Sequence, residues 1–307
     1  MSNLTQLMSQ PANEPASAPS LRQIPRRYVA LGLIIVAIVL LGALVLVRDN
    51  SGPTTISTVE TFNPAPSSLV STVASVPASV YDAVGVSSPA NPVTPLGKAG
   101  SGNAPSWLAS VNGGPPLPVV FFYGAEFAPY AAVERWPLIM ALSRFGSFNQ
   151  LGLMQSSPTT AFANLSTFTF WKVSYSSRYV ILESVERYSS LNPTGARYLG
   201  LETPDARQSA AIAGYGTSAN TFSLLDVANR YVLNGAGFSP TVLAGLSQGQ
   251  IAGDLTTPAS PMTQAMVTAA NEITAAICSV DGERPDAVCE SKGVLAADQV
   301  LKITPPH

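Results

Sequence analysis

Few residues of this 307-residue sequence could carry reaction chemistry. The only histidine, His307, is the last residue, and a chain terminus is held too loosely to keep a catalytic or metal-binding geometry. The sequence has no phosphate-binding loop, no dinucleotide-binding fingerprint and no cluster of metal-ligand residue types. No cofactor is therefore expected, and the candidates reduce to one serine motif, two glutamates and two cysteines.

The serine motif is GLSQG at residues 245–249, which matches the G-x-S-x-G pattern of serine hydrolases. That pattern works only where a strand leads into the serine and the fold supplies a histidine. Here Ser239 and Pro240 begin a predicted helix that continues through Ser247 to about Leu255, and no usable histidine exists. A nucleophilic role for Ser247 is therefore not expected.

Glu126 and Glu134 lie close together in the sequence, and two carboxylates can act as general acid and base. We expect Glu134 and its neighbour Arg135 to lie on a solvated helix edge, which makes a catalytic role the less favoured interpretation. Trp136 and Phe145 recur at helical spacing with other apolar residues and are predicted in the core.

The two cysteines, Cys278 and Cys289, allow three interpretations. An even pair outside the cytoplasm favours a structural disulfide, and the intervening Asp281-Gly282 and Pro285 allow the chain to turn back. A redox-active pair is the second interpretation, although the spacing is not C-x-x-C. Two free thiols are the third.

A membrane anchor is predicted at residues 28–47, which read YVALGLIIVAIVLLGALVLV without a charge. At about 1.5 Å per residue, a helix of this length covers roughly the 30 Å hydrocarbon core. Three arginines at 22–27 precede it, whereas Arg48 and Asp49 nearly cancel after it, so the N-terminus is predicted in the cytoplasm. The alternative, a cleaved signal peptide, would have a shorter apolar region of about 7–15 residues.

The sequence therefore predicts a single-pass cell-membrane protein with an extracytoplasmic domain. Residues 1–27 form a disordered cytoplasmic tail, 28–47 the transmembrane helix, 48–78 an extracytoplasmic linker and 79–302 the domain. Residues between 67 and 114 are expected to be partly ordered. Charged residues make up 11% of the chain and the net charge is −2, so nucleic acid is not an expected partner.

The domain is predicted to have mixed α/β architecture with a central sheet flanked by helices. The apolar run at 118–123 is typical of a strand covered on both faces. The other predicted elements are a helix at 129–145, strands at 167–175 and 179–185, a helix from Thr203, a hairpin at 222–232 that turns at Ala228-Asn229, and a helix from Ser260 through Cys278.

Four stretches carry a resemblance to a known family. Residues 124–136 read GAEFAPYAAVERW, 141–146 read ALSRFG, 237–247 read GFSPTVLAGLS, and 271–278 read NEITAAIC. They resemble an uncharacterised prokaryotic thioredoxin-like family whose typical members read GAEFCPYCAAERW followed by ALSRFG. The resemblance covers roughly residues 79–296 and implies a thioredoxin-like sheet.

The resemblance also implies that the reactive cysteines are missing. In the family the first cysteine lies at a helix N-terminus, where the helix dipole stabilises its thiolate, and the second resolves the mixed disulfide. The corresponding residues here are Ala128 and Ala131, whose methyl groups cannot ionise or attack. Ser223 corresponds to the cis-proline of such folds, and a trans bond is expected before it because a non-proline cis bond costs about 3 kcal/mol.

These observations favour a binding or scaffold protein over an enzyme. The expected contact surface is Glu126, Phe127, Pro129 and Tyr130, and the expected partners are the membrane and an extracytoplasmic protein. One alternative is a thiol-disulfide oxidoreductase that uses Cys278 and Cys289 or a partner's cysteines. Another is an accessory structural subunit of a membrane complex.

Overall fold

The computed structural model describes residues 59–303 except 88–96, 100–105, 193 and 216–221. In chain order the elements are α1 Ser67–Ala74, α2 Ala78–Val84, β1 Gly97–Lys98, β2 Leu108–Ala109, β3 Leu117–Gly124, α3 Pro129–Leu142, β4 Gly146–Gln155, β5 Ser166–Ser177, β6 Ile181–Glu186, α4 Ala206–Tyr215, β7 Ser223–Val227, β8 Tyr231–Asn234, a 3-10 helix Pro240–Leu243, α5 Gln248–Asp254, α6 Pro261–Asp281, α7 Asp286–Cys289 and α8 Lys292–Leu301.

Strand β3 is at the centre of the main sheet. It pairs in parallel with β6 and antiparallel with β7. Strand β7 turns back into β8, β1 pairs with β8, and β2 pairs with the first residues of β3. Among the described residues these strands form a six-stranded sheet, and β4 and β5 form a separate antiparallel pair. The fold is mixed α/β, as predicted.

The elements nearest the sheet centre follow directly from the sequence. The apolar run of β3 is buried at every residue after Leu117, which is the signature of a strand covered on both faces. Helix α3 begins at Pro129, whose missing N–H costs nothing in the first turn. The hairpin between β7 and β8 turns at Ala228 and Asn229, whose φ angles of 53° and 56° match the twist of the flanking strands.

Strand β4 was not predicted. Its sequence, GSFNQLGLMQ, contains two glycines and little regular alternation, and its pairing with β5 shifts register between Phe148 and Gly152. Gly152 is required by close packing: a Cβ there would lie 2.6 Å from Thr169 and 2.8 Å from the Phe62 ring. Irregular pairing of this kind hides the period-two pattern by which strands are recognised.

The folded domain begins earlier than the predicted boundary at residue 79. Helix α1 lies within the predicted linker, yet its Val73 is fully buried. Helix α2 is held by Asn271 of α6, whose Nδ2 donates to the carbonyl oxygens of Tyr81 (3.0 Å) and Gly85 (2.8 Å). The Ser- and Pro-rich composition suggested a spacer, but a few apolar side chains at helical spacing suffice to fix these helices on the core.

The C-terminal end also contains more structure than predicted. The long helix extends beyond Cys278 to Asp281, and α7 and α8 follow it. Val294 and Ala297 of α8 are fully buried in the same core as α6.

No helix within the described part of the chain is long and apolar enough to cross a membrane. The predicted span at 28–47 and the tail before it lie outside the described residues.

Candidate functional site

Three connections meet at one edge of the main sheet. Strands β3 and β6 are parallel and end side by side at Gly124 and Glu186, while β7 starts at this edge with Ser223 opposite Gly124. Ligands of open α/β sheets bind outside the carboxyl ends of the parallel strands. This edge of the sheet is therefore the candidate site, and the loop that contains Ala128 and Ala131 lies here.

Ala128 and Ala131 are both fully buried. Ala128 is the N-cap of α3, and its carbonyl oxygen accepts a hydrogen bond of 3.0 Å from the N–H of Ala132. Ala131 lies one turn on; a Cβ added to Gly124 would lie 3.3 Å from its methyl group. The peptide bond before Ser223 is trans, and the Ser223 side chain is fully buried. Ala131 and Ser223 thus both lie next to Gly124, and none of the three positions presents a nucleophilic thiol.

Four half-buried aromatic rings pack on one another at the same edge of the sheet, and we call Phe127, Tyr188, Tyr198 and Phe222 the aromatic patch. Phe127 stacks on Tyr198 with ring centroids 4.0 Å apart and lies 5.3 Å from Phe222. Tyr188 lies 5.7 Å from Phe222. The four rings come from the connections after β3 and β6 and before β7, so the sheet edge itself assembles them.

Phe222 has an unusual backbone conformation. Its φ angle of 36° is one that residues with a side chain rarely adopt, and it immediately precedes Ser223. Such conformations cost about 1–3 kcal/mol and cluster at functional sites. Here the conformation places the Phe222 ring between Phe127 and Tyr188, where it packs against both.

The predicted contact surface is only partly available. Phe127 and Tyr130 are half-buried and reach solvent, whereas Pro129 is buried and only 2% of Glu126 is exposed. Glu126 points inward because its backbone N–H is held by the carbonyl oxygen of Tyr188 at 2.8 Å. Glu126 and Pro129 are therefore removed from the expected surface.

The prediction that Glu134 and Arg135 lie on a solvated helix edge is wrong, since both side chains are fully buried. Helix α3 is enclosed by the sheet, β5 and α6, so it has no solvated edge at this point. Arg135 makes a paired contact with Glu186: Nε donates to Oε1 at 2.8 Å and Nη2 to Oε2 at 2.7 Å. This ion pair lies directly beneath the candidate site.

Glu126 joins this buried charge cluster. Burial raises the pKa of Glu126 to about 7, and the negative charges of Glu186 and Glu60 add to the rise. A hydrogen bond to Thr169 and the charge of Arg135 act in the opposite direction. Because Arg135 is already engaged by Glu186, an ionised Glu126 would have little compensation, and its neutral form is favoured below about pH 7.

Glu134 is a second buried carboxyl group, on the other side of α3. Its Oε2 accepts a hydrogen bond of 2.8 Å from the N–H of Gly237. Burial raises the pKa of Glu134 to about 8, and the charge of Glu272 adds to the rise.

A groove of about 660 Å³ adjoins the aromatic patch. Among the described residues its lining carries no charge and combines polar side chains, including Asn63 and Gln248, with apolar ones, including Leu153 and Leu191. Ser157 connects groove and patch, since its N–H donates to the carbonyl oxygen of Phe127 at 3.1 Å and its Oγ accepts from the Tyr198 hydroxyl at 2.9 Å. The surface next to the patch is thus suited to an uncharged segment that presents both polar and apolar groups.

Ser247 is not inside a helix, which corrects the prediction. The 3-10 helix from Pro240 stops at Leu243, the chain turns at Gly245 with φ of 76°, and Ser247 is the N-cap of α5. Its hydroxyl and the side chain of Gln250 form a capping box. Ser247 therefore has a structural role, and no strand leads into it.

Cys278 and Cys289 form a disulfide, with Cα atoms 5.6 Å apart. Their exposed fractions are 1% and 2%, so the sulfur atoms are out of reach of another protein. Of the three interpretations of this cysteine pair, the buried disulfide agrees with a structural role.

Sequence reasoning missed most of the residues that build this edge. Glu186, Tyr188 and Tyr198 lie in or after β6, more than 50 residues from the alanine loop, and no local pattern connects them with it. One signal in the sequence could have indicated two of them. Glu186 and Tyr188 directly follow the predicted strand at 179–185, and ligands bind outside the carboxyl ends of parallel strands.

Comparison with known proteins places this region in a family. The profile of a family described as "Domain of unknown function (DUF929)" matches residues 114–279, more than half of the chain. The match extends from just before β3 into α6 and so contains Ala128, Ala131, Ser223 and the aromatic patch. No curated protein and no solved structure is matched by the chain.

Proposed function

The chain belongs to the family of the domain of unknown function DUF929, and we propose that it is a redox-inactive, thioredoxin-like binding protein anchored outside the cytoplasm. In this proposal the aromatic patch contacts a protein partner, and the anchor at 28–47 keeps the domain at the membrane. The proposal rests on one observation: the strands of the sheet follow a thioredoxin-like order, and the positions of its reactive residues hold Ala128, Ala131 and Ser223.

The strand order supports the thioredoxin-like part. A strand, a helix and a parallel strand (β3, α3, β6) precede an antiparallel hairpin and a long helix (β7, β8, α6), and β3 lies between β6 and β7. Other elements are inserted in this order: the β4–β5 pair before β6, α4 before β7, and a 3-10 helix and α5 before α6. Thioredoxin-like domains have this arrangement, with the reactive loop between the first strand and its helix. The same loop here carries Ala128 and Ala131, and Ser223 begins the antiparallel strand beside it.

The chemistry of the edge supports binding rather than catalysis. The loop offers only methyl groups where an exchange reaction needs thiolates, and the sole cysteine pair is a buried disulfide. Half-buried aromatic rings next to an uncharged groove of mixed polar and apolar lining are instead typical of a surface that contacts a polypeptide. The alternative of an oxidoreductase that uses Cys278 and Cys289 is disfavoured because neither sulfur can reach a substrate.

Site-specific photo-crosslinking tests the binding surface. A photo-crosslinking amino acid in place of Tyr198, in the full chain expressed in its native membrane, should form a discrete adduct with a partner. The same amino acid at Leu295, which is 49% exposed on α8, is the control and should form none. Adducts of equal yield at both positions, or none at Tyr198 and Phe127, would contradict the proposed surface.

The topology has its own test. Because the arginines precede the predicted anchor, we expect protease added to intact spheroplasts to digest the domain and to spare residues 1–27. Lysis before protease treatment is the control and should expose the tail as well. Protection of the domain in intact spheroplasts would place it in the cytoplasm.

A further inference from the structure

A small cationic pocket lies at the other end of β7 from the aromatic patch. It has a volume of about 280 Å³ and is formed where β1, the β7–β8 turn, the end of α6 and the end of α8 meet. Three cations (Lys98, Arg230 and Lys302) and three hydroxyls (Ser106, Tyr231 and Ser279) line it. The concentration is notable because the chain as a whole has a net charge of −2.

The backbone holds these cations in place. Lys98 pairs with Tyr231 in the sheet, and the next residue, Ala99, donates its N–H to the carbonyl oxygen of Arg230 at 2.8 Å. The Nζ of Lys98 donates to the carbonyl oxygen of Lys302 at 3.3 Å. Three segments distant in sequence therefore bring positive charge to one point.

The protein does not neutralise the two lysines by direct pairing. Among the described residues neither Lys98 nor Lys302 has a carboxylate within 4.0 Å. Two carboxyl groups, Glu283 and Asp298, lie near the Tyr231 hydroxyl and act on it. Burial raises the pKa of Asp298 to about 6 and also raises that of Glu283, so mild acid makes the pocket more positive.

We propose that the cationic pocket binds a tetrahedral oxyanion, either free sulfate or phosphate or the phosphate of an anionic lipid headgroup. Ammonium, guanidinium and hydroxyl groups donate the charge-assisted hydrogen bonds that such an anion accepts. The inference does not depend on the proposed binding role of the aromatic patch, which lies at the opposite end of β7.

The pocket is tested by titrating sulfate into the full chain in nanodiscs of neutral lipid, with the heat of binding measured by calorimetry. We expect saturable binding that weakens about tenfold or more in the Lys98→Gln/Lys302→Gln variant, because two charged donors are lost. The Lys172→Gln/Lys292→Gln variant has the same net charge and should bind like the wild type. Absence of saturable binding, or equal loss in both variants, would overturn the proposal.

Two further measurements distinguish a free anion from a lipid headgroup and test how the sulfate affinity depends on pH. If the headgroup is the natural source, nanodiscs of anionic phospholipid should suppress sulfate binding, whereas a free anion predicts the same affinity in both lipids. Sulfate keeps its charge between pH 5 and 8, so protonation of Asp298 should raise its affinity toward pH 5. A fall in affinity toward pH 5 would contradict the assignment.

Discussion

The Arg135→Met variant is expected to lose about 3–5 kcal/mol of unfolding free energy, the largest effect that we predict for one substitution. The guanidinium makes two short hydrogen bonds to Glu186 and a third, of 3.2 Å, to the carbonyl oxygen of Ala125. Without it, Glu186 is left as a fully buried carboxylate next to Glu126. Among the described residues its side chain then keeps only the hydrogen bond of 3.1 Å that the Phe170 N–H donates to Oε1, and no cation pairs with it. Urea denaturation followed by circular dichroism measures the loss.

Two further variants distinguish the effect of breaking the Arg135–Glu186 pair from the effect of removing any arginine. Arg197 is exposed, so Arg197→Met should change the unfolding free energy by less than about 0.5 kcal/mol. Arg135→Met/Glu186→Leu removes both charges and should recover much of the stability, because an apolar pair of similar volume is tolerated. A loss below about 1 kcal/mol in Arg135→Met would mean that the ion pair is solvated.

The unfolding free energy is also expected to fall as the pH rises from about 5 to 8. Glu134 and Glu126 have pKa values of about 8 and 7 when folded, against 4.5 for the ordinary glutamate. Between pH 4.5 and its own raised pKa, each carboxyl group is protonated in the folded state and ionised in the unfolded state. The contribution of these two groups to the unfolding free energy is therefore fully present below about pH 4.5 and is lost as the pH rises. The slope is about 1.4 kcal/mol per pH unit for each group.

Glu134→Gln tests this pH dependence directly. The amide keeps an oxygen that accepts the Gly237 N–H and cannot ionise, so the slope between pH 5 and 8 should flatten. Glu290 is exposed, and Glu290→Gln should leave the slope unchanged. A wild-type stability that rises over this interval would show that Glu134 is ionised in the folded protein.

The sheet centre could be predicted because its sequence signals are local. The apolar run of β3, the proline that opens α3 and the Ala-Asn turn of the β7–β8 hairpin each determine their own conformation. Strand β4 lacked such a signal, since its packing depends on Gly152 meeting Phe62 and Thr169 across large sequence separations.

The candidate site was predictable only in part, for the same reason. Ala128 and Ala131 were found by their place in a motif, but the rings of Tyr198 and Phe222, which pack on neighbouring Phe127, arrive from later connections. The buried state of Arg135 likewise depends on Glu186, 51 residues away. Periodicity along one helix cannot reveal a partner on another strand, and so a charged residue was predicted to be solvated.

The most direct test of the account is a thiol-disulfide exchange assay, insulin reduction, on three proteins. We predict no exchange by the wild type, because its loop has no thiol and its disulfide is buried. Ala128→Cys/Ala131→Cys should show weak exchange: the Ala128 position is the N-cap of α3, where a thiolate is stabilised, but both positions are fully buried. Adding Ser223→Pro should increase the rate. Robust exchange by the wild type would contradict the redox-inactive assignment, and no exchange by any variant would contradict the thioredoxin-like placement of the loop.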